Sequence, residues 1–402
     1  MEKLFKLRDE MREDLLNGSI FPFWQKYTID EENGGFYGAV DTDMKIHKDS
    51  PKALVLNARL LWTFAGAYRI YGKPEYKELA DRAFEYLTTY FWDKKNGGGF
   101  WMLNADGTVQ DDTKMTYAQG FMLYAFSEYV RATGSEEARE YADMVYDYLE
   151  NECREGKYYL ENARGTGTGN GAITEVGQLS MNTHIHILEP MTCYFRIRHD
   201  KCVEESLVNL IEVCARRIYD AEHHHFVMFF DSEMNPLPGE VSFGHDIEGS
   251  WLMTEAAEVL LEYGADKARA EALLQEAKKV AINMVDYTLT HGLDTDGGLF
   301  DEGHEGGGIA VPNKVWWGQA EAVVGSVNAW QITGDEKYLD AACKVWEYIK
   351  AQIINGPAAE WLASGKNSPD EENSVFLCGP WKCPYHNARA AFEICERAEK
   401  LA

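Results

Sequence analysis

A short helix-turn-helix phrase recurs along this chain and restricts its fold more than any other feature of the sequence. Its clear copies are built around Gly72, Gly134 and Gly334, and weaker copies lie at His199 and Gly264. The spacing is about 65 residues, a length typical of a repeated supersecondary unit. In the clear copies, glycine suits the end of one helix, and the residues after it suit the cap and acidic first turn of the next. The repeat therefore predicts a series of α-helical hairpins.

The two helices of each predicted hairpin differ in polarity. The helix before the turn is almost uncharged, as in residues 117–126 and 315–324, whereas the helix after it is amphipathic, as in residues 78–87. A helix that is apolar all round is buried, and a helix with one charged face lies at the surface. Inner and outer helices should therefore alternate along the chain.

The number of predicted helices points to a closed ring. An amphipathic N-terminal helix over residues 3–27, five inner-outer pairs and a last helix beginning near His386 make about twelve helices. We expect an all-α (α/α)6 barrel, with about six inner helices inside six outer ones. Short β-hairpin loops of glycine and aromatic residues, such as 96–101, should gather at one rim. Since no change of composition marks a linker, we predict a single catalytic domain spanning residues 1–402. The length alone would suggest about two or three domains.

Composition and charge exclude several classes of partner. The net charge of −27 repels nucleic-acid phosphates and anionic membrane surfaces, so neither nucleic acid nor a membrane is expected as a partner. No segment approaches the roughly 18 apolar residues that span a bilayer, and residues 1–10 lack a signal-peptide apolar block, so the expected location is cytoplasmic. The 8 cysteines contain no CxxC pair and are expected to be reduced, mostly buried thiols. Aromatic residues form 13% of the chain, and their flat apolar faces suit sugars.

Ionisable residues on the otherwise apolar inner helices are the candidates for chemistry. A charged side chain cannot face the packed wall of the barrel without a large desolvation cost, so it should face a central cavity. These candidates are Arg59, Gln119, His184, His186, Glu189, His245, Asp246, Glu248, Glu321, His386 and Arg389. The aromatic residues that accompany them are Trp62, Tyr117, Trp251, Trp316, Trp317, Trp381 and Tyr385.

Several of these candidates lie at a common depth. Arg59, His186 and Glu321 each precede the turn of their hairpin by 13 residues, whereas His245 precedes its turn by 19. His245 should therefore lie higher, in the mouth of the cavity. His184 and His186 are two residues apart and cannot face the same way on a helix. Only one of them should enter the cavity, and the shared depth favours His186.

The run His223–His225 is the other histidine-rich feature of the sequence. It lies in a polar loop without spaced carboxylates or thiols, and we interpret it as a solvated turn rather than a metal site. The sequence contains no Walker A motif, no dinucleotide fingerprint and no recognisable zinc motif. Neither a cofactor nor a metal is therefore expected.

Six ordered motifs point to a known family. They cover residues 33–38, 57–62, 181–189, 244–251, 315–322 and 381–387. Through these motifs the chain resembles the N-acylglucosamine 2-epimerase superfamily essentially from end to end. Two departures are visible, Gly249 and Ala388, at positions where the resemblance leads us to expect alanine and glycine. Neither departure touches a candidate side chain.

The resemblance implies an (α/α)6 barrel that inverts C2 of the reducing-end sugar in β-1,4-linked disaccharides, converting cellobiose to glucosylmannose and lactose to epilactose. It implies that His245 and His386 are the acid/base pair. The residues implied to bind or polarise the substrate are Arg59, His186 and Glu248 at the reacting unit, and Trp251, Trp317, Glu321 and Trp381 along the disaccharide, with Trp381 stacked on the non-reducing unit. Further candidates for substrate binding are Tyr117, Asn182, Trp316 and Arg389. By analogy, we expect a monomer that acts on this small-molecule substrate without a cofactor.

The chemistry of such a reaction requires an open-chain aldose, because only then does a carbonyl acidify the C2 proton. One histidine would remove this proton to give a cis-enediolate, which Arg59 and His186 would stabilise. A proton returned to the opposite face would complete the inversion. Histidine suits both roles because its ordinary pKa lies near 6.5. The sequence leaves open which histidine acts on which epimer, with His386 favoured for the gluco substrate.

Other interpretations stay open at this point. An aldose-ketose isomerase, or an N-acylglucosamine- or mannose-type 2-epimerase, would use the same fold and the same enediolate. A glycoside hydrolase needs two opposed carboxylates about 5 to 9.5 Å apart. Glu248 and Glu321 are the only good pair, and the histidines would then be unexplained. A non-catalytic sugar-binding repeat would not need three cavity histidines.

Overall fold

Inner and outer helices alternate along the described part of the chain. The structure is a computed structural model that describes residues 1–164, 179–369 and 375–401. The α-helices described there are α1 (Glu2–Leu16), α2 (Ile20–Tyr27), α3 (Leu54–Tyr71), α4 (Pro74–Tyr86), α5 (Thr116–Thr133), α6 (Glu136–Tyr148), α7 (Met181–Phe195), α8 (Lys201–Val213), α9 (Phe243–Tyr263), α10 (Lys267–His291), α11 (Trp316–Thr333), α12 (Glu336–Tyr348) and α13 (Tyr385–Glu399). Among these described residues, no helix is both long and apolar enough to cross a membrane.

The inner helices form a closed ring. Each of α3, α5, α7, α9, α11 and α13 contacts the next in this order, and α13 contacts α3 again. Helices α4, α6, α8, α10 and α12 each pack outside the inner helix that precedes them, and α1 packs outside α13. Most residues of the inner helices are buried, as expected for helices without a charged face. The predicted (α/α)6 barrel is confirmed.

The repeated turns have the predicted chemistry. Gly72, Gly134 and Gly334 end α3, α5 and α11 with φ of 66°, 72° and 73°. This left-handed conformation is strained for residues with a Cβ, which explains the glycines. The side chains of Ser135 and Asp335 then cap the following helices by accepting backbone N–H groups.

The prediction of one N-terminal helix over residues 3–27 is wrong, because α1 and α2 are separated at residues 17–19. The Asp14 carboxylate accepts both the backbone N–H and the hydroxyl of Ser19 at 3.1 and 2.8 Å, which turns the chain after Gly18. The freed carbonyls of Gly18 and Ser19 accept the N–H groups of Ala358 and Glu360. The break therefore joins the start of the chain to its last long loop.

Short antiparallel strands lead into several inner helices at one rim of the barrel. The strands are β1 (Val40–Asp41), β2 (Lys52–Ala53), β3 (Met102–Leu103), β4 (Val109–Asp111), β5 (Arg154–Glu155), β6 (Tyr158–Tyr159), β7 (Leu179–Ser180), β8 (Phe229–Phe230), β9 (Glu240–Ser242), β10 (Glu302–His304), β11 (Ile309–Val311) and β12 (Phe376–Cys378). They pair as β1-β12, β2-β3-β4, β5-β6, β7-β8 and β11-β10-β9. Because β2, β7 and β9 end where α3, α7 and α9 begin, the sheets fix the N-terminal ends of these helices.

Ion pairs at the lead-ins of inner helices hold the same rim. Lysines just before α3, α5, α11 and α13 each pair with a carboxylate of the loop after the preceding helix. The pairs are Lys52–Asp30 at 2.8 Å, Lys114–Asp93 at 3.3 Å, Lys314–Asp294 at 2.6 Å and Lys382–Glu360 at 3.0 Å. Each lysine is nearly buried, so removing one partner leaves an uncompensated charge. These pairs anchor the loops that surround the mouth of the barrel.

Candidate active site

A cavity of about 240 Å³ opens at the N-terminal ends of the inner helices. Its lining residues come from all six inner helices and from the loop before α13, and they are Arg59, Tyr117, Asn182, His186, His245, Glu248, Trp316, Trp317, Trp381 and His386. All of them were among the candidates named from the sequence. The structure thus brings residues as far apart in the sequence as Arg59 and His386 into one site.

His386 is backed by a buried carboxylate. Its Nδ1 lies 2.7 Å from Oε1 of Glu321, while the indole N–H of Trp251 donates to Oε2 of Glu321 at 3.0 Å. Burial, aided by the nearby Arg59 and Arg389 charges, holds the pKa of His386 well below its ordinary value. Burial, with a contribution from the neighbouring Glu248 charge, raises the pKa of Glu321 to about 8.

His186 has a carboxylate partner of its own. Its Nδ1 lies 2.6 Å from Oε1 of Glu189, three residues further along α7. Glu189 also accepts hydrogen bonds from the Tyr385 hydroxyl and the Arg389 guanidinium. Although burial opposes ionisation, Arg389 and His186 lower the pKa of Glu189 to about 2. Glu189 therefore holds the His186 ring as an ionised carboxylate.

His245 differs from the other two histidines because its Nδ1 faces a hydroxyl, the Oγ of Ser242, at 2.7 Å. Burial, together with the neighbouring His186 and Arg59, lowers the pKa of His245 to about 3. Its ring lies 4.6 Å from that of Trp317, and the His386 ring lies 5.7 Å from the same indole. Both imidazoles therefore lie next to Trp317 on the cavity wall.

Three residues predicted to bind substrate lie beneath the cavity instead of lining it. Trp251, Glu321 and Arg389 are at most 2% exposed, and they are absent from the described lining residues. Arg389 contacts the carboxylates of Glu189, Glu248 and Glu321, and so connects the partners of His186 and His386. Each of the three is tied to this ionic network, and their direct contact with sugar stays a prediction.

Arg59 brings a permanent positive charge to the cavity. Its Nη2 donates to the hydroxyl of Tyr117 at 2.6 Å, and its guanidinium lies 4.3 Å from the ring centroid of Phe121. Nearby oxygens and thiols, Tyr117 first, outweigh burial and raise its pKa. A buried cation of this kind can stabilise a developing oxyanion.

Some candidates of the inner helices face away from the cavity. Gln119 brackets Gly99 by accepting its N–H and donating to its carbonyl. Asp246 accepts the N–H of Phe226 at 2.7 Å. His184 contacts the Ser180 carbonyl through Nδ1 at 2.7 Å. The prediction that His186 alone of the two α7 histidines enters the cavity is confirmed, whereas Gln119 and Asp246 hold loops against their helices.

The site also contains groups that can ligate a metal. Ligand atoms of His186, His245 and Glu248 all lie within 4.8 Å of one another, and so do those of Glu248, Glu321 and His386. The same nitrogen and oxygen atoms can hydrogen bond to sugar hydroxyls, and the indoles around them offer apolar faces to sugar C–H groups. The arrangement therefore suits a polyhydroxylated ligand beside paired acid/base groups.

Comparison with known proteins decides the family. A family model described as N-acylglucosamine 2-epimerase (GlcNAc 2-epimerase) matches residues 35–390. The chain belongs to this family. Cellobiose 2-epimerase of Bacteroides fragilis is 37% identical over 399 residues, covering 96% of this chain and 98% of that protein. The corresponding enzyme of Dictyoglomus turgidum is 35% identical, covering 97% and 98%. The solved structure of cellobiose 2-epimerase from Bacillus thermoamylovorans has a TM-score of 0.88 and 34% identity, covering 98% and 100%.

The sequence analysis did not predict Ser242, the hydrogen-bond partner of His245. The available signal was its position, three residues before His245 and directly before the first residue of α9. The spacing in the sequence also indicates the pairing of Glu189 with His186, because residues three apart share a helix face.

Proposed function

We propose that this protein is a cellobiose 2-epimerase, an isomerase that reversibly inverts C2 of the reducing-end sugar in β-1,4-linked disaccharides. Cellobiose would give glucosylmannose, and lactose would give epilactose. The observation that carries the proposal is the placement of His245 and His386 in one cavity, both next to Trp317, together with Arg59. Relatives that bear this name and cover nearly the whole chain add support.

Ring opening is the first step of the proposed mechanism, because it creates the carbonyl that acidifies the C2 proton. Neutral His245 would donate its Nδ1–H to the Ser242 hydroxyl, and Nε2 would then accept the O1 proton. The raised pKa of Glu321 keeps an extra proton on the His386–Glu321 pair at neutral pH. That proton goes to O5 as the ring C1–O5 bond breaks.

Proton transfer at C2 then uses the same two residues in the protonation states that ring opening leaves. His386, now a free base with ionised Glu321 behind it, takes the C2 proton and a cis-enediolate forms. Protonated His245 has no carboxylate partner among the described residues and gives its proton to the opposite face of C2. Each positioned acid or base contributes about 10²- to 10⁴-fold to the rate.

The enediolate needs donors in a water-poor site. Arg59 supplies a guanidinium that stays charged. His186 supplies Nε2, because its Nδ1 is hydrogen bonded to Glu189. Interactions with charge that develops only in the transition state raise the rate more than interactions with the ground state. We assign Arg59 and His186 to this role.

The site has room for one sugar unit in the cavity and an aromatic surface for a second unit at the rim, as a disaccharide requires. A cavity of about 240 Å³ lies below the usual range of about 300 to 1,000 Å³ for drug-sized ligands, so it suits one sugar unit. Trp381 is 48% exposed at its rim, and its ring centroid lies 5.6 Å from that of Trp101 and 5.8 Å from that of Tyr117. This aromatic group offers a face on which the second sugar unit can stack.

Incubation of the purified protein with cellobiose in D2O and EDTA, followed by NMR of the reducing-end C1 and C2 signals, tests the proposal. The expected product has a mannose-type reducing end with deuterium at C2. A ketose signal would reassign the protein as an aldose-ketose isomerase, and free glucose would indicate hydrolysis. Hydrolysis is disfavoured because Glu248 and Glu321 both bind Arg389 on one side of the site. An unchanged spectrum would refute the proposed substrate.

A further inference from the structure

The loop after α8 contains a cluster that the proposed reaction does not use. Asp220, His223 and His225 each offer a ligand atom, and the three atoms lie within 4.8 Å of one another. Oδ2 of Asp220 is 2.8 Å from Nδ1 of His223. The His223 side chain is 54% exposed, whereas His225 is 2% exposed. The histidine run is therefore only partly the solvated turn expected from the sequence.

This loop has the same backbone frame as two other loops of the barrel. In each, one aspartate oxygen accepts the N–H groups two and three residues ahead, as Asp30, Asp93 and Asp220 all do. The side chain three residues ahead contacts the other oxygen. That side chain is Asn33 or Asn96 in the first two loops, and it is a histidine only after Asp220.

The loops differ in their counter-charge. Asp30, Asp93 and Asp294 each pair with a lysine located two residues before the next inner helix. The equivalent position before α9 is Val241, and within the described residues Asp220 has no lysine partner. Where the other loops have an ammonium group, the Asp220 loop has two imidazoles. Imidazole and carboxylate together are typical ligands of a divalent transition metal.

The hydrogen bonding of His225 leaves a nitrogen for such an ion. Its Nδ1 lies 3.0 Å from the carbonyl of Phe226, so Nδ1 carries the proton and Nε2 has the free lone pair. A second hydrogen bond of this kind commonly orients a metal-binding histidine. At His223, an ion would replace the proton shared between Nδ1 and Asp220.

We propose that Asp220, His223 and His225 form a divalent-metal site that suits Zn²⁺, with water as the fourth ligand. The ion replaces the lysine of the equivalent loops and fastens the loop after α8. It lies outside the cavity and takes no part in proton transfer.

The consequence of the site reaches α9, which carries His245 and Glu248. Phe226, next to the ligand His225, donates its N–H to Asp246 at 2.7 Å. Its ring covers Gly249, where a Cβ would come within 2.2 Å of a ring carbon. This close approach gives a physical reason for glycine at a position where alanine was expected. Metal binding should therefore stabilise the packing of the loop on the first turns of α9.

The test must separate this cluster from two groups in the cavity that can also hold a metal, His186 with His245 and Glu248, and Glu248 with Glu321 and His386. We would titrate Zn²⁺ into a tag-free background protein with His245→Ala and His386→Ala, which lacks one ligand of each cavity group, by calorimetry and measure Tm with and without the ion. His223→Asn is the loop variant, because asparagine is the residue that Asp30 and Asp93 contact, and the loop frame is kept. His304→Ala is the matched control, since His304 is exposed and lies 2.8 Å from Glu240, and the two belong to no group of three possible ligands among the described residues.

We expect this background protein to bind about one Zn²⁺ and to gain thermal stability. Adding His223→Asn should raise the Kd for Zn²⁺ at least tenfold and remove the gain in Tm, whereas adding His304→Ala should change neither. Equal Kd values after the two additions, or no binding by the background protein, would overturn the proposal. The D2O epimerisation experiment has a separate readout, so failure of the metal site and failure of the proposed activity are distinguishable.

Discussion

Nδ1 of His386 and Oε1 of Glu321 are joined by a 2.7 Å hydrogen bond directly under the candidate active site. The same oxygen of Glu321 accepts from Arg389, which also binds the carboxylate behind His186. The acid/base properties of two cavity histidines are therefore linked through one buried guanidinium. His245 lies outside this link, because its Nδ1 faces Ser242.

The pH dependence of activity should follow the His386–Glu321 pair. Since burial raises the pKa of Glu321 to about 8, the pair holds its extra proton below pH 8 and loses it above. That proton is needed for ring opening, so kcat/KM for cellobiose should fall as the pH rises through about 8. Initial rates between pH 6 and pH 10 measure this, with circular dichroism as a control for folding. A rate constant that stays level up to pH 10 would contradict the assignment.

Glu321→Gln should lower kcat/KM by about 10²- to 10⁴-fold, because an amide cannot carry the transferable proton. The fall above pH 8 should also disappear from the remaining activity. Trp251→Phe is the comparison, since it removes the indole hydrogen bond to the other oxygen of Glu321 and leaves the carboxyl group in place. If Glu321→Gln kept the fall at high pH, another group would be responsible for it.

The two histidines should act on opposite faces of C2. In D2O, His245→Ala should slowly exchange the C2 proton of cellobiose for deuterium without forming a mannose unit, because spontaneous ring opening still supplies the open chain and His386 still removes the proton. His386→Ala should exchange C2 of glucosylmannose but not of cellobiose. NMR of the recovered sugars measures both. Exchange of cellobiose by His386→Ala would assign the faces the other way round.

Ser242→Ala should lower kcat by about fivefold with little change in KM, the effect of losing one hydrogen bond of about 1 kcal/mol that orients His245. The hydroxyl lies 2.7 Å from Nδ1 and, in the proposed mechanism, accepts the Nδ1–H, which leaves Nε2 as the base. Ser127→Ala is a matched control, because Ser127 is fully buried and its Oγ has no hydrogen-bond partner among the described residues. Steady-state kinetics of both variants would show whether the effect is specific.

Trp381→Ala should act mainly on binding of the second sugar unit. The ring is 48% exposed at the rim and contacts Trp101, so its loss should raise KM for cellobiose about tenfold, equivalent to roughly 1.4 kcal/mol. We expect less than a twofold change in kcat. Tyr90→Ala, at a comparably exposed aromatic residue, should leave both constants unchanged. A loss of kcat without a rise in KM would argue against a stacking role.

Gly249→Ala should destabilise the protein by about 1 to 3 kcal/mol, a typical effect of overpacking. The new methyl group would lie 2.2 Å from the Phe226 ring. Phe226→Leu in the same chain should recover part of the loss. Gly318→Ala is the control, because its nearest neighbouring atom is 3.7 Å away and alanine favours the helix. Chemical denaturation of these three variants and of the unchanged protein gives the free energies of unfolding.

Much of the barrel follows from local features of the sequence. Gly72, Gly134 and Gly334 mark the hairpin turns, and the polarity of the segments around them separates inner from outer helices. Every residue that lines the cavity was also a candidate, because a polar group on an apolar helix has few places to lie. The break at residues 17–19 was missed because the carbonyls that it frees find their partners, the N–H groups of Ala358 and Glu360, far along the chain.

Only the tertiary structure decided which candidates face the cavity and which lie beneath it. Gln119 and Asp246 share their helices with cavity residues but bind loops, and Arg389 lies under the floor among three carboxylates. The cluster of Asp220 with His223 and His225 likewise depends on the folded loop. The sequence determined the chemistry on each helix, because polarity and turn propensity are local. The rotation of each helix and the pairing of buried charges depend on neighbours that are distant in sequence, and packing alone sets them.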